Sequence, residues 1–475
     1  MVAIPTVGPK LASGEPQAVG LTSKAFFICI LAALAGLMFG LDIGVISGAL
    51  QFIQMHFHTS TLAEGWIVSS MMAGAAAGAV IAAPMSLHLG RKVSLIIAAV
   101  AFVVGALICA LAPTVGLLIL GRLVLGLAIG VAAFVAPLYL SEIAPEQVRG
   151  AMISLYQLMI TIGIFLAFAL DSILSYTGNW RLMLGIIAAP AVLFLIGMFI
   201  VPYSPRWLML RGKRDLAHGV LRELGHNEQA ANYHIAEMEE QLKVKQHGWQ
   251  MFCQNGNFRR SVFLGIALQI AQQITGINVL MYYAPKIFEG AGFGLHAASW
   301  ATAIVGAVNV LSTFIAIAFV DRIGRRPILI ASFLIMAVSM AAVGILLSAG
   351  IPAGGSRDLV VVLLLIFVVG FAMGAGPLIW VLCAEIQPLK GRDFGIGCST
   401  FTNWAANWVV GFTFPIILLN IGQGKTFWLF AILNLICIPF ILFFVPETKG
   451  VTLETIEHRL LAGEPLRRLG QAGNR

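Results

Sequence analysis

Two charged side chains sit where charge is costly. Asp42 is the only acidic residue deep within an apolar stretch of the chain, and Arg122 is the only basic one. A bare carboxylate in an apolar medium is expensive, so it must be paired or protonated. Burial favours the neutral acid and a nearby guanidinium favours the carboxylate. An acid that moved toward or away from an arginine would therefore take up or release a proton. A static buried ion pair is the plainer alternative. A second set is neutral: Gln157, Gln272, Gln273, Asn278 and Asn403, with Trp380, Trp404, Tyr282 and Tyr283 also in apolar stretches. Amides both donate and accept hydrogen bonds, and Trp adds a flat apolar face with one N–H. That combination suits a polyhydroxylated ligand with apolar C–H faces. Alternatively, lone amides join membrane helices to one another. Gln272 and Gln273 are adjacent, about 100° apart on a helix, so they cannot both face lipid, which favours an interior polar surface.

The elements that position these groups must be membrane helices. Of 475 residues, 59% are hydrophobic and 11% charged, against roughly 25% charged in soluble domains. The mean hydropathy is +0.93. A soluble globule cannot hide that much apolar surface, and a disordered chain would not contain it. The hydropathy predicts an all-α protein with twelve spans of about 20 residues each. They fall near 25–48, 62–86, 93–112, 115–138, 150–170, 181–201, 261–288, 298–320, 327–349, 358–383, 393–418 and 425–445. The segments around them divide the chain into a tail 1–24, a first half 25–201, a helical linker 202–260, a second half 261–445 and a tail 446–475. The linker holds 15 charged residues, with apolar residues at helical spacing between Asp215 and Lys245, which predicts short amphipathic helices.

Charge fixes the expected orientation. With the N-terminus inside, 24 of the 29 Lys and Arg residues fall on the cytoplasmic side. Arg181, Lys286, Arg357 and Lys425 fall outside, and Arg122 lies within a span. This bias places both termini in the cytoplasm and explains the net charge of +8 without nucleic acid. Span 1 runs outward to about Gly48, leaving Asp42 about 9 Å from its outer end at 1.5 Å per residue. Arg122 lies about 10 Å into span 4. Matched depth makes them candidate partners. The six cysteines form no CxxC pair, and neither a disulfide framework nor a metal site is expected. No signal peptide is expected, because the first apolar run is too long for one. No complete phosphate-cradling GxxxxGK[ST] loop is present, which argues against ATP. No nucleophile elbow or HExxH appears, which argues against an enzyme.

The halves repeat. LGRKVSL (89–95) corresponds to IGRRPIL (323–329), YLSEIAP (139–145) to VLCAEIQP (381–388), and VPYSPR (201–206) to VPETKG (445–450), at offsets of 234 to 244. A duplicated six-span unit with parallel repeats describes the major facilitator architecture. FGLDIGVISGAL, APLYLSEIAPEQVRG, QQITGINVLMYYAPKIF, AGPLIWVLCAEIQPLKGRDFG and VPETKG taken together resemble the sugar porter family of that superfamily, from about Ala25 to Leu460.

The resemblance implies a secondary transporter in a bacterial inner membrane. It would import a monosaccharide, galactose or glucose first, together with a proton, by alternating access. The proton is then the coupling ion, no other cofactor is needed, and a monomer suffices. Family members that couple to protons carry Asp at the position of Asp42, with Arg122 modulating it. The sugar would be bound by Gln157, Gln272, Gln273, Asn278, Trp380 and Asn403. Phe39, Tyr282, Tyr283, Gly376, Pro377 and Trp404 would line or gate the pocket, with the Gly376–Pro377 pair breaking span 10 as a hinge. An uncoupled facilitator and a non-transporting receptor are the rival readings. At the cytoplasmic ends of the spans, Arg91, Glu142, Arg149, Arg206, Asp321, Arg325, Arg326, Glu385 and Arg392 are expected to latch one half to the other. Tyr203 stands where the family's PESPR motif carries Glu, so one latch is expected to be missing or supplied elsewhere.

Overall fold

The computed structural model describes residues 22–145, 148–242, 248–350 and 355–470. Among them are twelve helices, or pairs of helices, long and apolar enough to cross a membrane. The first six spans are α1 (Ser23–Phe57), α2 (Thr61–Leu89), α3 (Arg91–Leu111), α4 (Val115–Ile143), α5 (Arg149–Leu174) and the pair α6 (Trp180–Gly185) and α7 (Ala188–Ile200). Four short helices follow: α8 (Pro205–Leu210), α9 (Arg214–Glu223), α10 (Glu228–Leu242) and α11 (Gly248–Gln254). The second half comprises the pair α12 (Gly256–Gln273) and α13 (Ile277–Gly290), α14 (Leu295–Ile323), α15 (Arg325–Ser348), α16 (Gly355–Gly370) with α17 (Gly376–Glu385), α18 (Arg392–Ile421) and α19 (Gln423–Phe444). A last helix, α20 (Leu453–Leu461), follows.

Local chemistry sets many of the boundaries. The hydroxyls of Thr22, Ser60, Thr114 and Ser204 each accept a backbone N–H in the first turn of the helix that follows, satisfying donors that the helix leaves open. Within the first half, α1 packs along α5 and α2 along α4. The α1–α5 seam is closed by Gly36, Gly40, Gly44 and Gly48, one per turn. A Cβ on Gly40 would lie 2.0 Å from the Ile160 carbonyl, so only glycine permits this approach. Membrane helices lack a hydrophobic drive toward one another and rely on such close packing.

The two halves meet through α1 with α13, α2 with α18 and α5 with α14. Their polar contacts cluster at the end of the bundle opposite the α8–α11 linker. There the Lys286 ammonium bonds both Glu64 oxygens at 2.6 and 2.8 Å. The Ser172 hydroxyl donates to the Ser299 carbonyl at 2.9 Å, and Ser175 bonds His296 at 3.0 Å. Trp66 packs against Trp408 and Phe412 across the same seam. Among the described residues, no hydrogen bond or ion pair joins the halves at the linker end. Among the described residues, the polar contacts between the halves thus lie at the far end.

Several expected boundaries shift. α1 continues to Phe57 rather than ending near Gly48, so Asp42 lies near its middle, 15 residues or about 22 Å from that end. Arg122 remains seven residues from the start of α4. The expected end of span 1, from which the depth of Asp42 was counted, thus shifts outward, while the expected pairing of Asp42 with Arg122 holds. Span 7 begins at Gly256, within the stretch expected to be linker, and is broken at Thr275–Gly276, where Gly276 has φ +89°. Span 10 is broken by a π-helical turn at Phe371–Ala375, immediately before Gly376–Pro377.

Candidate transport site

The buried charges meet. The Arg122 guanidinium bonds one Asp42 oxygen at 3.2 Å, and both side chains are 0% exposed. The pair is incompletely satisfied: the second Asp42 oxygen and two Arg122 nitrogens, Nε and Nη2, have no partner among the described residues. A single bond at that length between two charges out of water is a strained compromise, since desolvation costs several kcal/mol per ion.

The amides assemble into one chain within the second half. Asn278 donates to Gln273 at 2.6 Å, and Gln273 donates to Gln272 at 3.4 Å. Asn403 donates to the Gln272 oxygen at 2.7 Å and to the Gln269 oxygen at 2.6 Å. The Gln272 amide nitrogen donates to the carbonyls of Ala375 and Gly376, both at 2.9 Å. Those carbonyls belong to the broken part of span 10, where Pro377 and the π turn disturb the helical ladder. Ser332 braces the same break, accepting the Ala375 N–H and donating to the Gly370 carbonyl. Gln272 thus joins the amide chain directly to the hinge. Gln269 and Asn407 are participants that the sequence reading passed over. They sit one turn from Gln272 and Asn403 on the same helices, a spacing that could have revealed them. Asn407 bonds the Tyr282 hydroxyl at 3.0 Å, and the Tyr283 hydroxyl donates to the Gly411 carbonyl at 3.0 Å, both buried.

Among the described residues, no hydrogen bond ties Gln157 or Trp380 to this chain. Gln157 is exposed and Trp380 is 39% exposed, although each lies well inside a span. Gln157 is eleven residues before Phe168, and so on the same helical face. Phe168 packs on Gly306 of α14, which directs that face of α5 toward the other half. The contact across the centre is aromatic: Phe39 of α1 lies 5.3 Å from Trp404 of α18. Phe39 is one turn before Asp42, and Trp404 is adjacent to Asn403.

The linker-end motifs pair within each half, not between halves. Arg91 bonds Glu142 at 2.8 and 2.9 Å, and Ser204 donates to the same carboxylate. In the second half Arg325 bonds Glu385 at 3.3 Å and Thr448 donates to it. The cross-half latch is expected of the outward-open state, in which it would hold this end shut; in the conformation described, each acid is held by the arginine that starts the preceding span of its own half. Arg149 and Arg206 are exposed and Arg392 is half-buried. Asp321 lies outside the residues whose side chains are described. The Tyr203 departure has a physical substitute. Glu447 accepts the backbone N–H groups of Arg325 and Arg326, both at 3.0 Å, and so caps α15. At the equivalent place in the first half, the Lys92 ammonium stands 5.2 Å over the Tyr203 ring, and that ring stacks on Trp207. A cation–π contact replaces the carboxylate cap. One carboxyl was missed: Asp171, 3% exposed in α5, just beyond the expected end of span 5.

Sequence comparison matches the family described as sugar (and other) transporter to residues 28–460. The chain belongs to that sugar transporter family. It is 56% identical over 454 residues to the galactose-proton symporter of Escherichia coli K12, covering 95% of this chain and 98% of the relative. It is 49% identical to the arabinose-proton symporter of the same strain, covering 94% and 95%. The xylose transporter of E. coli in an inward-open conformation superposes with a TM-score of 0.80 at 31% identity, covering 94% of this chain and all of the other. The sugar transporter described here is therefore a multi-pass membrane protein of the major facilitator architecture.

Proposed function

We propose that this transporter imports a hexose, with galactose the first candidate, together with a proton. The linker end is cytoplasmic, as the positive charge bias requires, so the structure described is open to the cytoplasm. The setting is a bacterial inner membrane. Asp42 carries the proton, and Arg122 sets how tightly it is held. The sugar is gripped by Gln272, Gln273, Asn278 and Asn403 of the second half, with Gln157 and Trp380 closing on it from the cleft. Phe39, Tyr282, Tyr283 and Trp404 shape the pocket, and Gly376–Pro377 lets span 10 bend over it.

The observation that carries this reading is the pairing of Asp42 with Arg122 at 3.2 Å in full burial, one turn from the Phe39–Trp404 contact. A shift of α1 against α4 within the first half, accompanying the rocking of the halves, would change the acid's proton affinity. The 49% and 56% identical relatives named as proton symporters support it. The test is external pH in a lightly buffered suspension of de-energised cells on adding galactose. Alkalinisation that a protonophore abolishes and Asp42→Asn lacks is the expected result. Labelled galactose entering without alkalinisation would refute coupling and leave a facilitator with a structural Asp42.

A further inference from the structure

A second carboxyl lies at the seam that closes the outer side. Asp171 is 3% exposed. One of its oxygens accepts the Gly48 N–H at 3.1 Å, and the other has no partner among the described residues. The small cavity it borders is shared by both halves: Gly48, Phe168 and Ser172 on one side, Pro285, Ser299 and Thr302 on the other. The hydroxyls there are committed elsewhere. Ser299 and Thr302 donate to the carbonyls of Leu295 and Ala298, and Ser172 donates to the carbonyls of Phe168 and Ser299.

The charged and titratable groups on the surrounding elements are also engaged. On α13, Lys286 is held by Glu64 at 2.6 Å, and Glu289 follows one turn later. On α14, His296 bonds Ser175 and stacks on Tyr176 at 4.2 Å. Beyond α1 and α5, Arg181 donates to the Ala112 carbonyl and lies over Trp180, and His56 contacts both Phe57 and Trp180. A carboxylate buried with one backbone donor and no cation is costly, whereas the neutral acid is tolerated.

We propose that Asp171 is a proton-operated clasp of the outer gate, reading the pH outside the cell. Closing the seam against α13 and α14 strips water from the carboxyl, so the carboxylate must bind one proton from the outer solution. Opening re-wets it, and the proton returns to the same side. No net proton crosses on Asp171, which separates it from the coupling acid. The consequence is linkage: external acid favours the closed outer gate and external alkali the open one. One proton limits the change in the closed-to-open ratio to tenfold per pH unit. The inference takes the orientation from the reading above but does not require proton coupling, and its test measures conformation without transport.

The experiment is single-molecule energy transfer between dyes at Leu62→Cys and Gly294→Cys, which stand in the two halves at the outer end, with Cys253 and Cys398 changed to Ser. The protein is reconstituted in liposomes with the interior held at pH 7. The exterior is varied from pH 5 to 8 without sugar. The closed population is expected to fall as the exterior becomes alkaline, approaching tenfold per unit in ratio. Asp171→Asn is expected to hold the gate closed at every pH. An unchanged pH response in that variant overturns the proposal. If Asp171→Asn does not reach the membrane, Asp42→Asn, His296→Asn and Glu289→Gln decide: the response must survive in all three, and its loss in any one moves the sensor to that residue.

Discussion

The Glu64–Lys286 pair should act as the electrostatic latch of the outer gate. Its partners belong to different halves, α2 and α13, so the bond exists only while the gate is shut. Glu64 is 3% exposed and Lys286 is 32% exposed, and the ammonium reaches both carboxylate oxygens at 2.6 and 2.8 Å. Exposed ion pairs contribute roughly 0.2–1 kcal/mol. Truncating one member of a buried, hydrogen-bonded pair costs about 2–5 kcal/mol. This pair lies between those cases because water reaches the lysine, which argues for about 2 kcal/mol. That corresponds to roughly a thirtyfold shift toward the open gate. The assay is a double-mutant cycle of Glu64→Gln, Lys286→Met and the double variant, read by the dye pair across the outer end. The cycle isolates the pairwise part from the cost of leaving a charge alone. Each single variant should open the gate, and the double should open it less than the two effects combined. A coupling below about 0.5 kcal/mol, little more than twofold, would refute the latch and leave the seam to the Trp66, Trp408 and Phe412 packing.

Two further outcomes follow from the amide chain and the helix caps. Gln272→Ala removes the donor to the Ala375 and Gly376 carbonyls and the acceptor for Asn403. Equilibrium sugar binding should therefore weaken by tenfold or more, and wild-type affinity would exclude Gln272 from the site. Tyr203→Glu should give α3 the carboxylate cap that Glu447 gives α15, worth about 0.5–1 kcal/mol at a helix N-terminus. A small rise in the midpoint of thermal unfolding is expected, and a fall would show that the Lys92 contact with the Tyr203 ring outweighs the cap.

Much of this arrangement was legible because membrane helices are specified by composition and length. Apolar runs separated by charged turns identify spans directly, and the repeat of LGRK and IGRR located the symmetry. The Asp42–Arg122 pair was legible because a lone acid and a lone base in apolar spans have few other partners. What failed was local. Hydropathy cannot see that α1 continues to Phe57, because a helix that leaves the bilayer needs no apolar run. The same effect hid Asp171: a charged residue reads as a span end, although packing against Gly48 buries it. The break at Thr275–Gly276 depends on the Phe430 ring, 2.9 Å from where a Cβ on Gly276 would stand, and on Asn434 donating to the Thr275 carbonyl at 3.0 Å. Both partners lie more than 150 residues away in sequence, beyond the reach of any local pattern.

The division of chemistry between the halves constrains how coupling can work. The motifs at the linker end repeat closely: Arg91, Glu142 and Ser204 in one half, Arg325, Glu385 and Thr448 in the other. The interior does not repeat. Asp42 and Arg122 belong to α1 and α4, whereas the amide chain lies wholly in α12, α13, α17 and α18. No amide of that chain is hydrogen-bonded to Asp42 or Arg122 among the described residues. Sugar therefore cannot alter the acid by direct contact with the chain. The influence of a ligand held by that chain would pass through a movement shared by both halves, and the Phe39–Trp404 contact at 5.3 Å is where α1 meets α18 of the amide chain. On this argument a substitution at Phe39 that keeps sugar affinity should still loosen the ratio of protons to sugar. A substitution confined to the amide chain should change affinity and leave that ratio intact.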